Sequence, residues 1–268
     1  MVRSSNGTAF DLSGPAGAPV VVLIHGLGLT RGSTWGAIAS DLAARFRVLS
    51  YDLLGHGETA LPSGPVNLTA LSKQLVGLLD DLGIERAALA GFSLGGMINR
   101  RCAMDHPGRV SALAILNSPH ERGEEAQKLV EAHARASSAG GPGATIGAAL
   151  ERWFTPAFRR DHPDAVASVR TVVLANDHGN YTAHRQVLAE GVKELIRPAP
   201  PITQPTLVMT CEHDSGSTPA MSHAIASEIP GADTVIVPDL RHLGLIEQPA
   251  LFAEPLKDFL GRILIRDM

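Results

Sequence analysis

Gly91-Phe92-Ser93-Leu94-Gly95 places a serine between two glycines at the spacing G-x-S-x-G. A serine hydroxyl attacks a carbonyl at neutral pH only when a base removes its proton, so such a serine implies acyl transfer and a histidine elsewhere. The motif is short enough to arise by chance, and its plainer reading is a serine that caps a helix after a glycine turn. Its setting favours the chemical reading. Ala87 to Ala90 reads as a short buried strand and the residues after Ser93 as a helix, which is where a nucleophile elbow lies. The glycines permit the tight turn, and Gly96 lets the helix pack closely on its neighbours. The start of that helix also points backbone N–H groups at a developing negative charge, which makes the Leu94 N–H the first candidate oxyanion donor. A second donor must come from another loop.

Eleven histidines could serve as the base. His242 is selected by its place: Arg241-His242-Leu243 lies just beyond the apolar run Thr234 to Val237 and just before the last helix, at the sheet edge that carries Ser93. The imidazole then needs an anion to hold its tautomer and to stabilise the imidazolium that forms. Glu212 and Asp214 lie in Cys211-Glu212-His213-Asp214, after the run Thr206 to Met209, and Asp239 is nearer to His242 in sequence. On placement alone all three carboxylates remain open.

The elements that must hold these groups are legible as alternating patterns. Val20 to Ile24, Val48 to Tyr51, Ala87 to Ala90, Ala112 to Leu116, Thr206 to Met209 and Thr234 to Val237 are continuous apolar runs. Such runs suit parallel strands buried on both faces. Between them, Leu68, Leu71, Leu75, Leu78, Leu79 and Leu82 form one helical face, capped by Asn67 and ended by Gly83. A second helix carries Leu94, Met97, Ile98 and Cys102 before His106-Pro107 stops it, and a last one runs from about Pro249 to Ile263. Strands alternating with helices predict an α/β fold with a doubly wound, mostly parallel sheet. The alternation breaks between residues 121 and 200, where Trp153, Phe154, Phe158 and Tyr181 occur without a convincing strand, and that stretch is expected to be a helical insertion. Residues 1–120 and 201–268 would then form the core.

Two further segments complete a resemblance. His25-Gly26-Leu27-Gly28 follows the first strand, and Asp52-Leu53-Leu54-Gly55-His56-Gly57-Glu58-Thr59 follows the second. With the serine elbow and the order Ser93, Asp214, His242, they resemble the α/β-hydrolase superfamily over residues 8–120 and 200–268. The resemblance implies that Leu27 supplies the second oxyanion N–H and that Asp214 is the acid, with Cys211 where a glycine is usual. It also implies that the D-x-x-G-x-G turn is structural, with Thr59 at its serine position, and that no cofactor or metal is needed. His25 is expected to brace its turn rather than to react. Arg152-Trp153-Phe154-Thr155-Pro156, Ala175-Asn176-Asp177 with Tyr181, and Ser217-Thr218-Pro219-Ala220-Met221 resemble 3-oxoadipate enol-lactonases and related esterases.

The expected reaction is hydrolysis of a small ester or lactone through an acyl-enzyme. The same constellation could serve a C–C bond hydrolase of β-diketone-type substrates, a cofactor-free perhydrolase or a non-enzymatic receptor, and turnover assays separate them. Trp153 is a candidate substrate contact, with cap assembly as the equal alternative. A carboxylate-bearing lactone would want a cation, and Arg122, Arg152, Arg170 and Arg185 are available; His178 and His184 are expected at the surface.

Composition removes other classes. With 44% hydrophobic and 19% charged residues the chain is neither disordered nor low in complexity. Its net charge of −4 and scattered Lys and Arg give no nucleic-acid footprint, so small molecules are the expected partners. No apolar run approaches the roughly 20 residues of a membrane span. The start, Met1-Val2-Arg3-Ser4-Ser5-Asn6, lacks the apolar stretch of a secretory signal, so a cytoplasmic address is the default expectation. Cys102 and Cys211 sit in apolar segments without metal or redox spacing and read as small core residues. Oligomeric state is not encoded in any pattern found.

Overall fold

An apolar run such as Val20-Val21-Val22-Leu23-Ile24 has no polar face to offer to water, and it can be stable only with both faces covered. In the computed structural model, which describes residues 2–136 and 138–265, such runs form the middle of a single sheet. In chain order the elements are β1 (Val2–Arg3), β2 (Ala9–Ser13), β3 (Val20–Ile24), α1 (Arg31–Leu42), β4 (Arg47–Tyr51), α2 (Leu68–Asp81), β5 (Ala87–Phe92), α3 (Leu94–Asp105) and β6 (Val110–Leu116). There follow α4 (Glu124–Ala136), α5 (Ile146–Trp153), α6 (Pro156–Asp161), α7 (Pro163–Leu174) and α8 (His178–Glu190). The chain then returns through β7 (Thr206–Cys211), α9 (Pro219–Ser227), β8 (Asp233–Val237), α10 (Gly244–Glu247) and α11 (Ala250–Leu264).

The sheet order is β1-β2-β4-β3-β5-β6-β7-β8. Strands β3 to β8 are parallel, and β1 and β2 add an antiparallel edge. This edge extends the six strands expected from sequence. Neither added strand has a continuous apolar run: β1 is two exposed residues, and β2 alternates around Asp11 and Ser13. Alternate residues of β3 enter different cores, Val21 and Leu23 joining Trp35, Ile38 and Phe252 on one face, and Val22 and Ile24 joining the leucines of α2 on the other. The α2 stripe follows the expected spacing, with the Asn67 side chain accepting from Ala70 N–H and Gly83 at φ +64° beyond its end. Between β6 and β7 the described residues form helices and 3-10 turns but no strand. Both cysteines are buried, and burial pushes the thiols up, Cys102 to about 11 and Cys211 to about 12. None of the described helices is long and apolar enough to cross a membrane, and Met1 lies outside the described residues.

All the parallel strands end at one edge, and two of the loops there are locked together by histidines. His25 Nδ1–H donates to Gly26 O at 2.8 Å and its Nε2 accepts from Leu53 N–H at 2.9 Å. His56 Nδ1–H donates to Leu54 O at 3.1 Å and its Nε2 accepts from Gly28 N–H at 3.1 Å. A carbonyl can only accept and an amide N–H can only donate, so both rings are neutral Nδ1–H tautomers. Asp52 accepts from Arg31 N–H at 2.8 Å and Glu58 N–H at 3.0 Å, and pairs with the Arg31 guanidinium. Thr59 Oγ1 closes the turn by donating to Asp52 O at 2.8 Å. His184 corrects the surface placement expected from sequence: it is fully buried, edge-on to His56 with ring centroids 4.6 Å apart, whereas His178 is exposed. The surface expectation failed because an isolated histidine on a helix of low amphipathicity gives no sign of which side faces the sheet.

Burial lowers the pKa of all three rings. His56 is held well below the ordinary 6.5, with His25 and His184 adding repulsion, and His184 falls to about 4. A group that stays neutral when folded but takes up a proton when unfolded makes stability fall as pH drops below the unfolded value. Urea midpoints should therefore fall from pH 6.5 toward pH 4, each buried histidine contributing up to about 1.4 kcal/mol per pH unit in that window. His184→Gln should flatten the slope by about one proton's worth, and an unchanged slope would contradict the assignment.

Candidate active site

Ser93 sits between β5 and α3 with φ 55° and ψ −112°, a conformation unfavourable for any residue with a side chain. It is imposed by close approach on every side. A Cβ at Gly91 would lie 2.1 Å from Gly95 O, one at Gly95 would lie 2.2 Å from Ile24 O, and one at Gly96 would lie 2.6 Å from the Ser118 Cβ. Ser93 N–H donates to Leu116 O at 2.8 Å, which ties the turn to the neighbouring strand.

His242 lies in the loop between β8 and α10, with Nε2 3.2 Å from Ser93 Oγ and Nδ1 2.6 Å from Asp214 Oδ2. A carboxylate can only accept, so Nδ1 carries the proton and Nε2 is left to receive the one on Ser93. Asp214 is buried, and burial alone would raise its pKa. Electrostatic attraction to the His242 ring and hydrogen bonds from His242, Asn117 and Ser217 N–H outweigh this and hold it below the ordinary carboxylate value. Its Oδ1 accepts from Gly216 N–H and Ser217 N–H, both at 2.9 Å. Glu212 and Asp239, the other two candidate acids, are exposed and bonded to each other, Asp239 N–H donating to Glu212 Oε2 at 3.1 Å.

Asn117 was not found from sequence. It follows β6 with φ 46° and donates from Nδ2 to Asp214 Oδ2 at 2.9 Å. The available signal was an asparagine at the C-terminal end of a parallel strand, where groups from successive strands converge. Leu94 opens α3, so its N–H is one of those that helix geometry leaves without an intrahelical acceptor. Leu27 lines the cavity beside Ser93, and a Cβ on the preceding Gly26 would come within 3.2 Å of the Ser93 Cβ.

A cavity of about 680 Å³ opens over Ser93 and His242. Much of its wall comes from the segment between β6 and β7, including Arg122, Arg152, Trp153, Tyr181 and Arg185. Of the four arginines raised from sequence, Arg170 is exposed and does not line it. Arg122 and Arg185 are half-buried and bonded to the neutral partners Gln127 and Thr145. Trp153 lines the cavity. Its ring lies 6.3 Å from that of His242, and its carbonyl accepts from Leu243 N–H at 2.9 Å.

The arrangement combines a hydroxyl, an imidazole nitrogen facing it and a buried carboxylate behind the imidazole, a set able to carry out acyl transfer to water. The model of the alpha/beta hydrolase family matches residues 21–254. A 3-oxoadipate enol-lactonase 2 of Acinetobacter baylyi is 28% identical over 93% of this chain and 91% of its own length. A protein of Klebsiella pneumoniae subsp. pneumoniae that bears the name "Putative carbamate hydrolase RutD" is 30% identical over 92% and 93%. The crystal structure of the enol-lactonase from Burkholderia xenovorans LB400 superposes with a TM-score of 0.84 at 31% identity, covering 96% of this chain and 98% of that one. This chain belongs to the alpha/beta hydrolase family and is a hydrolase.

Proposed function

We propose that the protein hydrolyses a small carboxylic ester or lactone through an acyl-enzyme on Ser93, with His242 as general base and acid and Asp214 as its orienting anion. The observation that carries this reading is the Ser93–His242–Asp214 chain of contacts at 3.2 and 2.6 Å, opening into the cavity. Ser93 Oγ bonds to the substrate carbonyl carbon as its proton passes to His242 Nε2. The oxyanion that forms is held by Leu27 N–H and Leu94 N–H. When the intermediate collapses, the C–O bond to the leaving oxygen breaks and that oxygen takes the proton from His242. Water then repeats the steps and releases the acid and free Ser93. In a lactone the leaving oxygen stays on the acyl chain, so one ring-opened hydroxy acid is the product.

Residues 121–200 act in this reading as a cap that completes the pocket and sets its selectivity. The half-buried Arg122 and Arg185, bonded to neutral groups, favour a substrate that carries a carboxylate of its own. The enol-lactonase relatives support the same substrate class, and the name of the Klebsiella relative brings carbamates into the test panel.

Ser93→Ala should abolish turnover and fluorophosphonate labelling, with a loss on the order of 10⁶-fold in kcat; labelling at another serine would contradict the mechanism. Asp214→Asn should lower kcat roughly 10⁴-fold while Asp239→Asn stays mild, and the reverse ranking in steady-state kinetics would reassign the acid. A carboxylate-bearing lactone should be preferred over a neutral ester of similar size by about 10- to 150-fold in kcat/KM, equivalent to roughly 1.5 to 3 kcal/mol from one charge-assisted hydrogen bond. Arg122→Met or Arg185→Met should erase that preference and spare neutral esters. Equal hydrolysis of uncharged esters by the unaltered protein would leave a general carboxylesterase.

A further inference from the structure

The loop that bears Leu27 is held by three side chains acting on three successive peptide groups. His25 binds Gly26 O, which belongs to the peptide carrying the Leu27 N–H. His56 Nε2 binds Gly28 N–H, which belongs to the next peptide. Asn176, between α7 and α8, donates from Nδ2 to Gly28 O at 2.9 Å, on the peptide after that. Peptide units are planar, so fixing the planes on both sides of Leu27 fixes its φ and ψ and with them the direction of its N–H. Gly28 has φ +73°, and a Cβ there would meet the Tyr181 ring at 2.8 Å, so the loop lies directly under the cap.

His56 is itself gripped from the cap side. Asn180 Nδ2 donates to Leu54 O, the carbonyl that also receives His56 Nδ1–H, at 3.2 Å. His184 packs edge-on to the His56 ring and donates from Nδ1 to Asn180 O at 2.9 Å. A Cβ at Gly55 would lie 2.5 Å from the Asn180 side chain. The turn from Asp52 to Thr59 is thus clamped between sheet and cap, with His56 reaching from it to the oxyanion loop.

We infer that His56 and Asn176 are positioning residues for the oxyanion: they hold the N–H and C=O of Gly28, aim the adjacent Leu27 N–H, and make transition-state stabilisation depend on how the cap is seated. The inference rests on the acyl-enzyme reading above. Neither residue lines the cavity. Their effect is confined to the step in which negative charge develops on the carbonyl oxygen, and it should therefore appear in kcat with little change in KM.

The test is steady-state kinetics on p-nitrophenyl butyrate and on its thiono analogue, in which a larger, weaker-accepting sulfur replaces the carbonyl oxygen. His56→Leu and Asn176→Leu should each lower kcat for the oxygen ester by about 10- to 100-fold, with KM within about twofold, and shrink the oxygen-over-sulfur preference by a similar factor. His56→Gln, which keeps an acceptor and a donor, should restore much of both. Partial unfolding would scale the two substrates equally, so an unchanged ratio in the folded variants overturns the inference. Should His56→Leu not fold, Asn176→Leu, at a half-buried position, carries the comparison. The rate of Ser93 labelling by a fluorophosphonate, whose P–O oxygen would occupy the same hole, should fall in parallel. Ser93→Ala is assayed alongside. Retained turnover there would remove the acyl-enzyme reading and this inference with it, whereas loss there with unaffected His56→Leu and Asn176→Leu overturns this inference alone.

Discussion

A serine held at φ 55° persists only where its surroundings leave it no alternative, and much of the architecture follows from that constraint. Gly91, Gly95 and Gly96 lack side chains because the turn, the β3 carbonyls and Ser118 occupy the space a methyl group would take. That crowding exists because β5 is the central strand, with β3 on one side and β6 on the other. The parallel arrangement then sends the loops after β3, β5, β6, β7 and β8 to the same edge. The strained serine, the meeting of these strand ends and the cavity over them are consequences of one topology.

The same edge solves an electrostatic problem. A buried carboxylate is unfavourable unless its lone pairs are occupied, and Asp214 receives the Asn117 amide, two backbone N–H groups and the His242 ring. Its charge is therefore fixed before any substrate arrives. The contrast with Glu212 and Asp239 is instructive. Both lie on exposed loop positions where water, not protein dipoles, would solvate the anion, and neither faces the imidazole.

Sequence reasoning reached the groups that obey a local rule and missed those that obey only a three-dimensional one. Continuous apolar runs located β3 to β8, and the glycine spacing around Ser93 located the elbow, since both signals are contained within a few adjacent residues. Helix α1 escaped notice because Gly32, Gly36 and several hydroxyl residues dilute its apolar face, although Thr30 and Ser33 form a capping box. Asn117, Asn176 and His184 have no local pattern that reveals what they bond to. Each owes its role to a partner between 97 and 148 residues away, respectively Asp214, Gly28 and the His56 ring, with the longest span that from Asn176 to Gly28.

The attachment of the 121–200 segment to the loop of His242 has a consequence for how specificity can change in this architecture. Leu243 N–H donates to Trp153 O, the Glu247 carboxylate accepts from both Thr155 N–H and Thr155 Oγ1–H, and Arg241 reaches back to Glu151 O. A 121–200 segment exchanged between relatives would have to bring a backbone that meets Leu243, Glu247 and Arg241 at the same points, or the imidazole would lose its register with the serine. Pocket walls in this protein are therefore not a freely interchangeable module. Arg122 and Arg185 line the cavity but make none of these anchoring bonds, so their side chains can change without disturbing the frame.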